Sequence, residues 1–335
     1  MQLCRLIISR TDSIGDVVLT LPMAAAFKQR YPDVYVMFLG AAYTRDIIEC
    51  CPFVDEFVDW TAISKLPEQE QVEKFKALNA GAIIHVFPRK AIAKLAKKVG
   101  IPIRVGTSHR MCHWRYCNRR VNFSRKKSDL HEAQLNLKLL KPFHMPAMRA
   151  DLEQVQQMMS LVPAQLDFDA KNQLDKKRFN IILHPKSKGS GREWGIDNFS
   201  HLIDLLPKDK YKIFICGVAS EREKMGDLLN KVSDDVVDLC GKLSLAEYIA
   251  FIASADALIA ASTGPVHIAA AVGIHTIGLY PPIRPAHAGR WAPIGPKVKV
   301  FSVDKKCNEC RHTTFCSCIH SIQPETIYRY LETIR

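Results

Sequence analysis

The chain has 335 residues, 47% of them hydrophobic and 24% charged, a composition typical of a globular protein with room for two domains. It contains no apolar run of the roughly 18 residues that span a bilayer, and Arg10 and Asp12 follow too early for a secretory signal. These features predict a cytoplasmic protein. The excess of Lys and Arg over Asp and Glu, 47 against 34, favours an acidic partner: a nucleotide, a phosphorylated glycan, nucleic acid or an anionic membrane surface.

In the first half of the chain, short apolar runs alternate with segments of helical length. The predicted strands are Leu3–Ile8, Val34–Leu39, Glu56–Trp60, Ala82–Phe87 and Ile103–Gly106. The predicted helices between them are Val17–Arg30, Ala41–Cys51, Glu68–Leu78 and Lys90–Val99. This order predicts a mostly parallel sheet with helices on both faces.

The turn after the first predicted strand holds a candidate general base, Asp16. The turn reads SRTDSIGD over residues 9–16, so this carboxylate lies beside a glycine where a helix begins. A lone, partly exposed Asp is ionised near neutral pH, as a base must be. The alternative is an acidic residue that only complements the helix dipole. Asp12 is a weaker candidate for the same role.

The basic segment, residues 109–127, mixes cations with aromatic residues. This composition could hold a phosphorylated sugar acceptor or a nucleic acid; a solvated basic loop is the alternative. The candidate acceptor-binding residues are Arg110, Arg115, Arg119 and Arg120.

Residues 128–177 turn helical and then polar, with prolines as breaks, which suits a connection between domains. A second alternation follows, with strands predicted at Phe179–Leu183, Tyr211–Cys216, Val236–Leu239, Ala255–Ala260 and Thr276–Tyr280. Its helices are predicted at Phe199–Leu206, Glu221–Val232, Leu245–Ala253, Pro265–Val272 and, last, Pro324–Ile334. We therefore predict α/β domains at 1–165 and 166–322 and a terminal helix at 323–335, with a ligand between two facing parallel sheets.

Two segments of the second half have the composition of a phosphate site. The loop HPKSKGSGREW, residues 184–194, offers cations, hydroxyls and backbone N–H groups that could wrap a pyrophosphate; a flexible surface loop is the alternative. Residues 263–267, TGPVH, join a strand to a helix whose N-terminus favours an anion. There Thr263 could cap the helix and His267 could face the ligand. An ordinary capped helix with a structural histidine is the alternative.

Glu221 follows the next predicted strand, after Gly217. Its carboxylate could accept hydrogen bonds from the hydroxyls of a ribose. Complementing the helix dipole is the competing explanation.

Taken together and in order, these motifs resemble glycosyltransferase family 9, the ADP-heptose lipopolysaccharide heptosyltransferases. The resemblance rests on residues 13–16 with Leu21-Pro22, on the loop 185–194, on Gly217 with Glu221, and on residues 263–267. It implies a GT-B fold, in which two Rossmann-like domains face each other across a cleft. It also implies transfer of heptose from ADP-heptose with inversion at the anomeric carbon, and no metal or cofactor in catalysis.

The resemblance assigns Asp16 as the catalytic base toward the acceptor hydroxyl. The donor-binding residues that it implies are Ser187, Lys188, Arg192, Glu221, Ser262, Thr263, Gly264 and His267. Among them Arg192 would offset charge on the departing ADP. Ser262 stands where many members have Asp, which leaves the exact sugar open, and Lys186 and Gly195 also depart from the family pattern.

The expected activity is therefore heptosyl transfer to an acidic lipopolysaccharide inner-core acceptor, with peripheral contact at the cytoplasmic face of the inner membrane and no nucleic acid. A transferase for another nucleotide sugar and a nucleotide-sugar epimerase are alternatives within enzymes. A non-catalytic binder of nucleic acid or of an anionic surface is the alternative of another class.

Near the C-terminus four cysteines cluster, at Cys307, Cys310, Cys316 and Cys318. Deprotonated thiols in this spacing could hold a structural zinc or iron, and His312 or His320 could replace one of them. Reduced thiols or a disulfide are the alternatives. A metal here should take no part in catalysis.

Overall fold

Two parallel sheets form the framework of the protein, one in each of two units that divide between Val162 and Pro163. The computed structural model describes residues 4–187, 189, 191–284, 286–304, 307, 310, 313 and 315–335. Lys188 and His312 lie outside the described residues. Within the described part, no helix is both long enough and apolar enough to cross a membrane.

The first unit has six strands among its described residues, in the order β3-β2-β1-β4-β5-β6, with all pairings parallel. They are β1 Arg5–Ser9, β2 Tyr35–Gly40, β3 Glu56–Asp59, β4 Ala82–His85, β5 Ile103–Thr107 and β6 Arg119–Val121. The α-helices are α1 Ile14–Val18, α2 Pro22–Arg30, α3 Arg45–Glu49, α4 Trp60–Ile63, α5 Glu68–Ala77, α6 Lys90–Lys98, α7 Met111–Tyr116, α8 Glu132–Leu137 and α9 Leu152–Gln157. Short 3₁₀ helices occupy Ala42–Thr44, Lys138–Phe143 and Pro146–Arg149.

Two features of the first unit differ from the sequence prediction. The single helix expected at Val17–Arg30 is two helices, because Pro22 begins α2 and cannot donate a backbone hydrogen bond to a preceding turn. The basic segment is not simply a solvated loop, since it forms α7 and the edge strand β6. The sequence of β6 has no apolar run from which a strand could be predicted, because two of its three residues are arginines.

The second unit repeats the topology of the first, with the order β12-β11-β10-β7-β8-β9 and all pairings parallel. Its strands are β7 Phe179–His184, β8 Tyr211–Ile215, β9 Val236–Asp238, β10 Ala257–Ala261, β11 His275–Tyr280 and β12 Val298–Ser302. Its α-helices are α10 Ile196–Leu205, α11 Ala219–Arg222, α12 Gly226–Leu229, α13 Leu245–Ser254, α14 Gly264–Val272, α15 Ala288–Trp291, α16 Ser317–His320 and α17 Pro324–Ile334. Lys171–Gln173 and Glu223–Met225 are 3₁₀ helices.

The predicted helix Glu221–Val232 is interrupted, as α11, a 3₁₀ turn and α12 follow one another there. Gly226 at the start of α12 weakens a continuous helix, since glycine has the most backbone freedom to lose. The terminal helix has the predicted bounds, and it packs Ile327 and Leu331 into the core of the second unit.

In both units the strand order reverses between the first and the fourth strand. The reversal lies between β1 and β4 in the first unit and between β7 and β10 in the second. Ligands of open parallel sheets bind at the carboxyl ends of the strands at such a reversal. Asp16 follows β1, the loop 185–194 follows β7, and Thr263 follows β10, so these three motifs lie at this position within their own units.

Candidate functional site

The carboxylate of Asp16 is held by two neighbours in the turn between β1 and α1. The guanidinium of Arg10 and the hydroxyl of Ser13 both donate hydrogen bonds to it. Arg10 also forms a two-pronged ion pair with Asp12, at 2.8 and 3.0 Å. The side chain of Asp16 is 18% exposed and that of Arg10 only 4%. The candidate base therefore has a fixed orientation and a limited opening to solvent.

Two side chains of α8 also hold the guanidinium of Arg10. Glu132 and Asn136 of α8 accept hydrogen bonds from its guanidinium at 3.4 and 3.2 Å. Glu132 is buried and also pairs with Arg125 of the basic segment. Among these described residues, three carboxylates (those of Asp12, Asp16 and Glu132) share two guanidinium groups. The expectation of a lone Asp is therefore wrong, because Asp16 belongs to a buried charge network.

This network determines the acidity of the candidate base. Burial raises the pKa of Asp16, and the Asp12 and Glu132 carboxylates also raise it, while Arg10 and the Ser13 hydroxyl act to lower it. The net direction is upward. A carboxylate with a raised pKa is a stronger proton acceptor than a solvated one, which suits general base catalysis.

In the second unit, the loop after β7 is organised by Glu193. Its carboxylate accepts a hydrogen bond from the backbone N–H of Ser187 at 2.9 Å and pairs with the ammonium of Lys186. The Ser187 hydroxyl donates to the carbonyl of Gly191 at 3.2 Å. These contacts tie Lys186 and Ser187 to Glu193 and Gly191 within the loop.

The loop packs directly against the segment after β10. A Cβ at Gly191 would lie 2.6 Å from the carbonyl oxygen of Ser262, closer than two such atoms can approach, so only glycine allows this contact. The structure thus brings Ser187, Gly191 and Arg192 together with Ser262 and the start of α14.

Two buried polar atoms in this region have no hydrogen-bond partner among the described residues, the hydroxyl of Thr263 and Nε of Arg192. The expected side-chain cap from Thr263 is not formed, which leaves its hydroxyl available. Nη2 of Arg192 donates to the carbonyl of Cys310 at 3.1 Å. Buried polar groups are normally paired, so unpaired ones at a strand end require an explanation. A bound anion would supply their partner.

Three other candidate donor residues lie at the starts of α14 and α11. Gly264 begins α14, Pro265 follows it, and His267 is buried in the first turn. Glu221 is also buried, and one of its carboxylate oxygens accepts a hydrogen bond from the Val218 N–H at 2.9 Å. This hydrogen bond caps the N-terminus of α11.

The candidate acceptor residues share an exposed surface of the first unit. Arg110 precedes α7, Arg115 lies on α7, and Arg119 and Arg120 lie on β6; all are exposed. The guanidinium of Arg120 lies over the ring of Trp114, 4.4 Å from its centroid.

Three of the four clustered cysteines are grouped by the structure. The sulfur atoms of Cys307, Cys310 and Cys318 lie within 4.8 Å of one another, and all three residues are buried. Cys316 falls outside this group, but its thiol lies close enough to that of Cys310 to lower the pKa of Cys310. None of these cysteines forms a disulfide in the structure.

Several residues of these sites were missed by sequence reasoning. Arg10 stands in the quoted turn, but nothing in its neighbourhood showed that it would be buried. Glu132 and Asn136 are more than a hundred residues away from Arg10 and carry no local signal. Glu193 lies within the loop 184–194 as its one acidic residue, and that isolation among cations was a usable signal.

The chain is similar to known proteins over most of its length. The model of glycosyltransferase family 9 (heptosyltransferase) matches residues 77–319. A Haemophilus influenzae protein that is named only as a glycosyltransferase is 30% identical over 320 residues, which cover 93% of this chain and 89% of that protein. The lipopolysaccharide core heptosyltransferase OpsX of the same organism is 22% identical over 307 residues, which cover 88% of this chain and 84% of OpsX.

Among solved structures, that of E. coli ADP-heptose lps heptosyltransferase II is similar to this one with a TM-score of 0.77 at 18% identity. The match covers 99% of this chain and 98% of that one. This likeness confirms the predicted fold class, an α/β protein of GT-B type with two Rossmann-like parallel sheets.

Proposed function

The chain belongs to glycosyltransferase family 9, the heptosyltransferases of lipopolysaccharide biosynthesis, and on this premise we propose the reaction that it catalyses. Heptose passes from ADP-heptose to a hydroxyl of an acidic lipopolysaccharide inner-core acceptor, with inversion at the anomeric carbon. The names of OpsX and of the E. coli enzyme support this donor and this acceptor class.

Asp16 is the general base in this proposal. As the acceptor oxygen attacks the anomeric carbon, its proton moves to the Asp16 carboxylate and the bond between that carbon and the ADP oxygen breaks. Inversion follows because the displacement occurs in a single step from the face opposite ADP. The raised pKa of Asp16 and its fixed orientation by Arg10 and Ser13 support this role.

The second unit binds the donor. The Thr263 hydroxyl, Arg192 and the N-terminus of α14 hold the diphosphate, where positive charge stabilises the departing ADP. The remaining residues proposed for this site are Ser187, Lys188, Gly264 and His267 at the diphosphate, Ser262 at the sugar and Glu221 at the ribose. Catalysis needs no metal in this arrangement because cationic side chains and backbone N–H groups supply the positive charge.

The observation that carries the donor site is the contact of Gly191 with Ser262 beside two unpaired buried polar groups. The close approach joins the loop after β7 to the start of α14, so donors from both elements converge. Both elements lie at the reversal of strand order, where a nucleotide is expected.

The acceptor site is assigned to the exposed residues Arg110, Arg115, Arg119 and Arg120. Guanidinium groups bind phosphate and carboxylate in pairs of hydrogen bonds, which suits an acidic inner core. We place the enzyme in the cytoplasm, in peripheral contact with the inner membrane, and expect no nucleic-acid partner.

A structural zinc or iron is proposed at the cysteine cluster. Three buried thiols within 4.8 Å of one another fit a tetrahedral site, with Cys316 beside Cys310 as the fourth ligand. The metal would crosslink the segment that carries Cys307 and Cys310 to α16 and so stabilise the fold. It takes no part in transfer.

Release of nucleoside diphosphate in the presence and absence of a lipid-free inner-core glycan tests the proposed reaction. We expect ADP release from ADP-heptose only when the glycan is present, and little release from other nucleotide sugars. Conversion of the sugar without a glycan would indicate an epimerase, and preference for another nucleotide would indicate a different transferase.

A further inference from the structure

The positive charge of this protein is concentrated in one stretch of the first unit. Residues 81–128 contain 13 Lys and Arg and no Asp or Glu, whereas the whole chain has 47 of the former and 34 of the latter. That stretch therefore accounts for the entire formal charge of +13. The other residues of the chain are balanced in charge.

The fold exposes eight of these thirteen cations on α6, α7 and β6, or directly before α7. Helix α6 packs against α7, and it buries Ile92, Ala93, Leu95 and Ala96 while its lysines are exposed. Strand β6 follows α7 in the chain, pairs with β5 and adds Arg119 and Arg120. We call this surface the basic face, and its exposed cations are Lys90, Lys94, Lys97, Lys98, Arg110, Arg115, Arg119 and Arg120.

Two large apolar side chains protrude from the same surface. Met111 is 90% exposed and Trp114 is 61% exposed, and both lie on α7 three positions apart, hence on one side of the helix. Trp114 is held in place, because its Nε1 donates to the Ser108 carbonyl at 2.7 Å and Arg120 lies over its ring. Exposing these large apolar side chains to water does not stabilise the folded protein, and such exposure is typical of an interaction surface.

Carboxylates do little to neutralise this face. Among the described residues, the ion pairs of its lysines are those of Lys94 and Lys98 with Glu68 of α5, at 3.5 and 3.0 Å. All three side chains are about half exposed, so solvent screens these pairs. The face presents a net positive potential to its surroundings.

We propose that the basic face docks on an anionic lipid bilayer, with Met111 and Trp114 entering the headgroup region. Lysines and arginines attract anionic headgroups, and tryptophan favours the membrane interface. A nucleic acid would also be attracted by the charge, so its binding is measured below as the competing outcome. This inference rests on the proposed function in one respect, that a lipid-linked acceptor lies in such a membrane.

Co-sedimentation with vesicles tests the proposal directly. The full-length protein is mixed with vesicles of phosphatidylcholine alone, or of phosphatidylcholine and phosphatidylglycerol in equal amounts. We expect binding to the anionic vesicles only, weakened by salt. The double variant Lys90→Glu, Lys94→Glu should bind them at least about tenfold more weakly, since each cation near the surface contributes.

The apolar contribution is tested with Met111→Ser, which should weaken binding about threefold to tenfold if the side chain enters the bilayer. Met111→Leu should bind like the wild type. Matched controls lie on the second unit: Lys208→Glu with Lys224→Glu for charge, and Val232→Ser for an exposed apolar residue. These controls should leave vesicle binding unchanged.

The same proteins are assayed for transfer to a lipid-free glycan, which none of these substitutions should alter. If the wild type did not transfer heptose to this glycan, the proposed function would be overturned. The vesicle measurement would still test the docking of the basic face. The docking proposal is overturned if the wild type does not bind anionic vesicles, or if the variants at Lys90, Lys94 and Met111 bind as the controls do. Binding to a single-stranded oligonucleotide but not to vesicles would assign the face to nucleic acid instead.

Discussion

The guanidinium of Arg10 lies against the carboxylate of Asp16, and the same guanidinium is held from the other side by Glu132. Arg10 is almost fully buried, so its guanidinium has little contact with water and depends on these carboxylates for its hydrogen bonds. Burial raises the pKa of Asp16 and the positive charge of Arg10 lowers it, while the Asp12 carboxylate and, to a smaller extent, the Glu132 carboxylate raise it further. The strength of the candidate base therefore depends on its charged neighbours as well as on its burial.

Glu132→Gln should move the acidic limb of the kcat/KM profile to lower pH. The ionised form of Asp16 is the active one, and Glu132 raises its pKa, so removal of that negative charge leaves Asp16 ionised at lower pH. The measurement is kcat/KM against pH. Glu153→Gln, at an exposed position on α9, is the control and should leave the limb in place; an upward shift in Glu132→Gln would contradict the network.

Gly191→Ala should weaken ADP binding by about tenfold or more, because the new Cβ would meet a backbone carbonyl that cannot turn aside. The loop after β7 would have to move away from α14. Calorimetric titration with ADP measures the effect. Gly226→Ala is the matched control, since a Cβ there meets nothing within 4 Å; equal affinity of the two variants would show that the contact with Ser262 does not shape the donor site.

Thr263→Val should weaken ADP binding without a loss of stability. The buried Thr263 hydroxyl has no partner among the described residues, so its replacement by a methyl group of similar size removes a desolvation cost. Thr276→Val is the contrast, since the Thr276 hydroxyl donates to the Ile274 carbonyl at 3.1 Å and its loss should cost about 1 kcal/mol. Thermal unfolding with and without ADP separates the effects; a Thr263→Val protein with lower stability and unchanged ADP binding would refute this role.

Cys310→Ser should abolish a bound metal and lower the melting temperature. Its sulfur belongs to the group of three buried thiols, and a structural metal stabilises the folded state only while its ligands are complete. Elemental analysis of the purified protein gives the stoichiometry. Cys216→Ser changes a buried cysteine outside the cluster and should retain the metal. A wild-type protein free of zinc and iron after expression with both metals would leave the cluster as plain thiols.

The inner strands of both sheets were predictable because they are short apolar runs buried on two faces. Leu6, Ile7 and Ile8 of β1 are fully buried, and such continuous hydrophobicity is typical of parallel sheets. β6 and β12 gave no comparable signal, since they are edge strands in which basic residues replace part of the apolar run.

The candidate site was predictable only where its residues follow one another in the chain. The turn at residues 13–16 and the segment 263–267 could be recognised because turn, cap and glycine positions are local. The support of Asp16 by Glu132 depends on the packing of α8, which lies far away in sequence, and the contact of Gly191 with Ser262 depends on the pairing of β7 with β10. Tertiary contacts of this kind produce no periodic pattern in the sequence from which they could be predicted.

The most direct test of the central role of Asp16 is a comparison of Asp16→Asn with Asp12→Asn. We expect Asp16→Asn to lower kcat by about a hundredfold or more, since a positioned base contributes roughly that much, while ADP affinity stays near the wild-type value. Asp12→Asn should retain most of the turnover. Acceptor-dependent ADP release near the wild-type rate from Asp16→Asn would contradict the role of Asp16 as the base.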